Sequence, residues 1–289
     1  MYSPHQKTMK FDPILKRDLT VSSRGRGLAA LIVLLNTVLF TYGLLGLYGN
    51  LRSMSESGGM NYGAFLPVFD VTCMILLFMV ILVFPEKTLS GISQERDSGT
   101  LDLLIASGLS PVKIVQGKFL SAFVQCTVGI ISCIPSFFMP LIFGGVSLQS
   151  CMVLLLLFLP CAVFVLCAGL FGSSAGKTTS AGTAICYGTI LFFMAGPFLT
   201  AFLLRPFMEE GENIFFWLSV LSPETSILSM LLSITGNDRL FTGIKEFFGA
   251  GNLPVTLPRL TLLSLCVCLL LSAGFFLLSA RLIAPARKR

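Results

Sequence analysis

Six blocks of apolar residues, each long enough to cross a bilayer, divide the sequence: Gly27–Gly49, Phe65–Phe84, Phe119–Phe143, Cys151–Phe171, Ala181–Leu204 and Leu260–Ile283. Crossing the hydrocarbon as a helix takes about 20 mostly apolar residues. Only helices and closed barrels satisfy their own backbone groups there, and the blocks lack the period-2 alternation of barrel strands. The expected fold is therefore all-α, a polytopic membrane protein with six transmembrane helices. Composition agrees: 12% of the 289 residues are charged, where a soluble domain carries roughly a quarter. The first block is expected to be retained, because a polar segment precedes it and it is too long for a signal-peptide core.

Charge orients the spans. Arg52, Arg205, Arg239, Lys245 and Arg259 fall on one side, and the other fifteen of the 20 Lys and Arg fall on the side of the two termini. Basic residues collect in the cytoplasm, so both termini are expected there. The net charge of +6 then reports topology and gives no reason to expect a nucleic-acid partner. A seventh apolar run, Ile214–Ile234, carries Pro223 and Glu224 at its middle. A carboxylate is costly in the bilayer, and a full span would carry the basic tail outside. Two short re-entrant outer helices, broken at Ser222-Pro223, are expected before span six. The domains expected are a cytoplasmic amphipathic segment, 1–26, and a six-helix transmembrane domain, 27–289. The latter includes a cytoplasmic loop, 85–118, and an outer loop, 205–258.

Little here supports catalysis. The nine cysteines lie in or beside the spans without a C-x-x-C pair, and His5 is the one histidine. Zinc sites and disulfide frameworks need ligands this chain does not cluster. "GSSAGKTTS", Gly172–Ser180, resembles a phosphate loop at first sight. That motif needs a glycine at position 171, where Phe171 stands, and a strand before it. "LSGISQ" at Leu89–Gln94 precedes this segment, whereas ABC ATPases carry their signature after the phosphate loop. "GSSAG" also has G-x-S-x-G spacing, but a serine nucleophile needs a base. The segment is expected to be a short cytoplasmic turn carrying Lys177, with no cofactor bound by this chain.

The loop between spans two and three holds the most information. Leu101, Leu104 and Ile105 recur at i, i+3 and i+4, one face of two helical turns. Gly108 would stop that helix, and Ser110-Pro111 would start the next as N-cap and first residue. A two-turn helix has little stability alone, so its apolar face must be buried against something else.

"ISQERDSGTLDLLIASGLSPVKIVQGK" resembles the signature loop of the membrane subunits of type-two ABC exporters. The usual form is an E-R-x-x-G-T-L-[ED]-x-L-L core, a turn with small residues and proline, then I-x-x-G-K. The matching positions are Glu95, Arg96, Gly99, Thr100, Leu101, Asp102, Leu104, Pro111, Ile114, Gly117 and Lys118, with Ile105 replacing the last leucine of the core. "DPILKRDL" is similar to the family's amphipathic N-terminal helix, "SSAGKTTSAG" to its second cytoplasmic loop, and "LSPETSILSMLL" to its outer segment before the last span. The outer stretch "TGNDRLFTGIKEFFGAGNLPVTLP" departs from the family by its length.

The resemblance implies a coupling helix seated in a groove of a separate cytoplasmic ABC ATPase, which holds the ATP and Mg. Leu101, Leu104 and Ile105 would be its buried anchor, and Glu95, Arg96 and Asp97 a charged rim. Gly99 would allow a sharp exit from span two, and Lys118 would sit at the lipid headgroups or pair with Glu95 or Asp97. A second permease, identical or homologous, would complete a homo- or heterodimer. Export across the plasma (inner) membrane of a bacterium or archaeon is the implied direction and place.

The largely neutral spans suit a hydrophobic or amphipathic cargo. Asp70, the ionisable residue well inside a span, and Asn36 and Thr41 in the first span are candidate pathway residues; helix-to-helix hydrogen bonding is the alternative for them. Pro135, Pro140, Pro160 and Gly196-Pro197 are candidate kinks. A stand-alone secondary transporter or channel is the competing class. Such proteins usually show internal repeats, and none is convincing here.

Overall fold

Proline and glycine decide where the helices of this chain break. The computed structural model describes residues 20, 26–57, 66–97, 99, 110–142, 146–204, 214–235 and 257–283. They form α1 (Arg26–Ser57), α2 (Leu66–Asp97), α3 (Pro111–Ser132), α4 (Ile134–Ile142), α5 (Leu148–Ala175), α6 (Thr179–Met194), α7 (Gly196–Leu204), α8 (Ile214–Ser219), α9 (Glu224–Thr235) and α10 (Leu257–Ile283). No strand occurs among the described residues. The expected N-terminal helix around Asp12–Leu19, the loop residues 100–109 and most of the outer loop lie outside them.

Among the described residues five helices are long and apolar enough to cross a bilayer: Ile32–Arg52, Leu66–Asp97, Pro111–Phe137, Leu148–Ala175 and Pro258–Ile283. The expected fifth span, Ala181–Leu204, differs by being divided into α6 and α7 at Ala195. Pro197 has no N–H to return to the Phe193 carbonyl. The interruption is one residue long, because Leu199 N–H donates to Ala195 O at 2.9 Å. Pro135 acts likewise between α3 and α4: Cys133 leaves the helix at φ −81°, ψ −9°. Pro160 lies inside α5 without ending it.

Pro85 behaves differently from expectation. The second span was to end at Phe84 and the loop to begin at Pro85, yet α2 continues to Asp97. Tertiary burial carries it through, since Phe84, Thr88, Leu89 and Ile92 are all buried beyond or beside the proline. Thr88 Oγ1 also donates to Pro85 O at 3.0 Å. Twelve more residues of the expected loop, Glu86–Asp97, are thus helical. At the other side α3 starts at Pro111, with Ser110 as an extended N-cap at φ −68°, ψ 142°.

Helix α5 is the axis of the bundle: 67% of its apolar window is buried, against 17% for α1. It packs on α2, α3, α6, α9 and α10. Its sequence explains this, for the run Cys161–Ala175 is rich in Ala, Gly, Ser and Cys, and small residues let helix backbones approach closely. A Cβ on Gly169 would meet Thr88 Oγ1 at 2.1 Å and Pro85 O at 2.8 Å. Phe164 of α5, Phe193 of α6 and Phe275 of α10 meet edge to face, with centroids 5.7–6.0 Å apart.

Hydroxyls inside the helices are satisfied locally, as a dry surround requires. Thr72, Ser272 and Ser279 each donate to the carbonyl four residues back at 2.7 Å. The short helices expected from Ile214–Ile234 are α8 and α9, separated by a turn through Ser222-Pro223. The twelve residues of α9 rise about 18 Å, too little for a crossing. It packs on α10, α5 and α2.

Candidate functional site

Leu89, Ser93, Arg96 and Asp97 follow one another at spacings of four, three and one on the last turns of α2, which places them on one helix face. That face meets the connection between α5 and α6. Ser173 Oγ–H donates to Leu89 O at 2.8 Å. A hydroxyl has one proton, so the 3.0 Å contact between the Ser93 and Ser173 hydroxyls is donated by Ser93. Ser93 N–H gives Ser173 Oγ a further bond at 2.9 Å. Ser173 is wholly buried.

One turn further, the Arg96 guanidinium closes the end of α5. Its Nη2 donates to Ser174 O at 3.1 Å and its Nη1 to Gly176 O. The last carbonyls of a helix lack intrahelical partners and carry partial negative charge, so a forked cation suits them. Asp97 Oδ2 then accepts from Thr179 Oγ1, at the start of α6. Thr178 is the N-cap of α6, accepting from Ala181 N–H at 3.3 Å.

The turn itself is tight because it is made of glycine. A Cβ on Gly172 would lie 2.6 Å from Gly182 O, and one on Gly176 would lie 2.3 Å from Gly182 N. The segment that resembles a phosphate loop is therefore a helix end, a three-residue link and a helix start. Lys177, Thr178, Thr179 and Ser180 are its exposed part.

Glu95 turns the other way. Its Oε1 lies 2.8 Å from Lys118 Nζ of α3, and both side chains are about 10% exposed. Of the two expectations for Lys118, pairing is therefore what the geometry contains, with Glu95 as the partner. Beneath this pair Ile92 of α2, Val115 of α3, Leu170 of α5 and Ala280 and Ile283 of α10 form a separate apolar cluster. Immediately beyond Asp97, Gly99 has φ +69° and its N–H donates to Arg96 O at 3.0 Å. Only glycine adopts that left-handed conformation freely.

Glu95, Arg96, Gly99, Pro111 and Lys118 thus gather where α2 ends and α3 begins. Thr100, Leu101, Leu104 and Ile105 lie outside the described residues. The three charges expected to form an outward rim are engaged by the chain's own α3, α5 and α6. Sequence reasoning missed the partners of Arg96 and Asp97, which are Ser174, Gly176 and Thr179, and the adjoining contact between Ser93 and Ser173. The i, i+4, i+7, i+8 spacing on α2 and the glycine-serine run of α5 were the available signals.

Of the candidate pathway residues, Asn36 and Thr41 lie on α1 and Asp70 on α2. Asn36 Nδ2 donates to Ser132 Oγ of α3 at 3.0 Å and to Ile32 O at 2.9 Å, a helix-to-helix tie. Thr41 is exposed. Asp70 is half-buried, and its Oδ1 is buried with no hydrogen-bond partner. Among the described residues no group of three His, Cys, Asp or Glu could hold a metal ion.

A family model described as ABC-2 family transporter protein matches residues 30–281 of the chain. No curated protein matches it.

Proposed function

Because the chain belongs to the ABC-2 transporter family, a multi-pass membrane family of permease components, we propose that it is the permease subunit of an ATP-driven exporter. It works with a separate cytoplasmic ABC ATPase, which holds ATP and Mg. The loop 95–118 is the contact that couples them. One observation carries this reading. The chain leaves α2 at the left-handed Gly99 and is helical again from Pro111, behind an extended Ser110, and Lys118 and Glu95 tie the two helix ends together. A segment so anchored passes a push to both helices at once.

On this reading Leu101, Leu104 and Ile105 form the knob that enters the ATPase, each contributing about 1.5–3 kcal/mol if fully buried. Thr100 and Asp102 flank the knob. The charged end of α2 faces the cytoplasm, with both termini, and α6 and α7 together make the fifth of six crossings. Segment 1–26 lies on the inner surface, 27–289 is the permease domain, and α8 and α9 with the rest of 205–258 dip in from outside. A second permease, a copy or a homologue, completes the pathway in the plasma membrane of a bacterium or archaeon. A hydrophobic or amphipathic cargo suits the neutral spans, with Asp70 as the pathway's polar point.

Purification of the tagged chain from its native membrane tests the reading. An ABC ATPase retained with it, giving vanadate-sensitive ATP hydrolysis, is expected. Ion-gradient-driven uptake by liposomes containing this chain alone would overturn it.

A further inference from the structure

On this reading the segment 98–109 is the contact with the ATPase, and the helix end that carries it, the last turn of α2, is bonded to α5 and α6. We propose that Arg96 is a positioning residue that makes the α5–α6 turn, Gly172–Gly182, part of the same moving unit, so that motion of the loop reaches the central helix of the bundle. This rests on the permease reading and deepens it by assigning the route by which motion enters the pathway.

Three contacts argue for it. The Arg96 guanidinium holds the carbonyls of Ser174 and Gly176 at once, so it grips the turn on both sides of Ala175. Ser93 and Ser173 lock the same two elements one turn earlier, among wholly or almost wholly buried atoms. Asp97 holds Thr179, the first residue of α6. All three lie on one face of α2 within five residues of the loop. The opposite contact, Glu95 with Lys118, ties the other end of the loop into the same hub.

The turn is also built to move as one piece. Gly172 and Gly176 bring the backbones of α5 and α6 into contact at Gly182, where no side chain would fit between them. Helix α5 then contacts α2, α3, α6, α9 and α10, so displacement of its end is felt across the bundle. Coupling through packed elements requires such continuity. Arg96 supplies the step between the loop and α5 that the chain's covalent order does not.

Hydrogen–deuterium exchange of the co-purified permease–ATPase complex tests this without knowledge of the cargo. Exchange is compared with and without trapping by Mg-ATP and vanadate. In the wild-type complex, trapping is expected to slow exchange together in peptides covering 98–110 and 176–182. In Arg96→Ala the response of 98–110 should persist, while that of 176–182 falls about tenfold. Arg96→Lys, a single-point cation that cannot fork, should fall between.

A covalent bypass separates transmission from mere folding. Ser93→Cys with Ser173→Cys, added to Arg96→Ala and joined by an added copper-phenanthroline oxidant, should restore the response of 176–182, and reduction should remove it. Cys266, the exposed thiol among the described residues, is changed to serine throughout. An unchanged response of 176–182 in Arg96→Ala, or no recovery on oxidation, would overturn the proposal. Absence of any ATPase, or of any nucleotide response in 98–110, would instead count against the permease reading itself.

Discussion

Lys118 Nζ lies 2.8 Å from Glu95 Oε1 in a setting that leaves each side chain about 10% exposed. The contact joins the last turn of α2 to the second turn of α3, the two helices from which the loop 98–109 hangs. Removing one partner of a largely buried ion pair costs about 3–5 kcal/mol. Lys118→Met should therefore lower the thermal stability of the detergent-solubilised protein sharply. Lys118→Met with Glu95→Gln should recover most of the loss, as a double-mutant cycle of melting temperatures would report.

Helix α5 approaches its neighbours through glycine. In Gly169→Ala the new Cβ meets the Pro85 carbonyl oxygen, a backbone atom, at 2.8 Å. Overpacking of this kind costs about 1–3 kcal/mol, and Thr88→Ala would relieve only the second clash, with Oγ1. Gly188 on α6 is the control, since a Cβ there meets nothing within 4 Å. Gly188→Ala should be neutral or stabilise by up to about 1 kcal/mol through helix propensity. Thermal unfolding of the two single variants decides it.

Gly99 ends α2 in the left-handed region at φ +69°. A Cβ has open space there, so the cost of Gly99→Ala is conformational, about 1–2 kcal/mol. Asn tolerates this region better than Ala. Gly99→Asn should accordingly keep more of the ATP hydrolysis of the co-purified complex than Gly99→Ala, with Gly99→Val the poorest of the three.

Asn36 bridges α1 to Ser132 of α3. Interhelical hydrogen bonds of this kind in membranes are worth about 0.6–1.7 kcal/mol. Asn36→Leu should destabilise by that amount and leave the affinity of the complex for its ATPase unchanged, as pull-down at graded ATPase concentration would show. A change in ATPase affinity would mean the bridge reaches further than α1 and α3.

Hydropathy made most of the helices legible, because a bilayer span needs length and apolarity and little else. It failed at Pro85, where a proline followed by Glu86 and Lys87 reads as a boundary, while buried Thr88, Leu89 and Ile92 keep the helix going. At Gly196-Pro197 hydropathy alone shows an unbroken apolar run, and the break between α6 and α7 was legible from the proline, a candidate kink. Ser110-Pro111 and the Ser222-Pro223 break were readable because proline chemistry is local; Ser110 stands at the N-cap position without a side-chain capping bond. The partners of Arg96 were not, since Ser174 and Gly176 contribute backbone carbonyls that any residue could supply. Nor does periodicity tell which of Glu95, Arg96 and Asp97 faces inward, because that depends on where α3 and α5 stand.

On the proposed function residues 98–109 present an apolar knob to a separate ATPase. The most direct measurement of this contact is the amount of ATPase recovered per permease from solubilised membranes, for wild type, Leu101→Asp and Leu104→Asp at equal membrane insertion. Stoichiometric recovery with the wild type and a loss of about tenfold or more with either variant are expected. Full recovery with both aspartates in place would contradict the proposal.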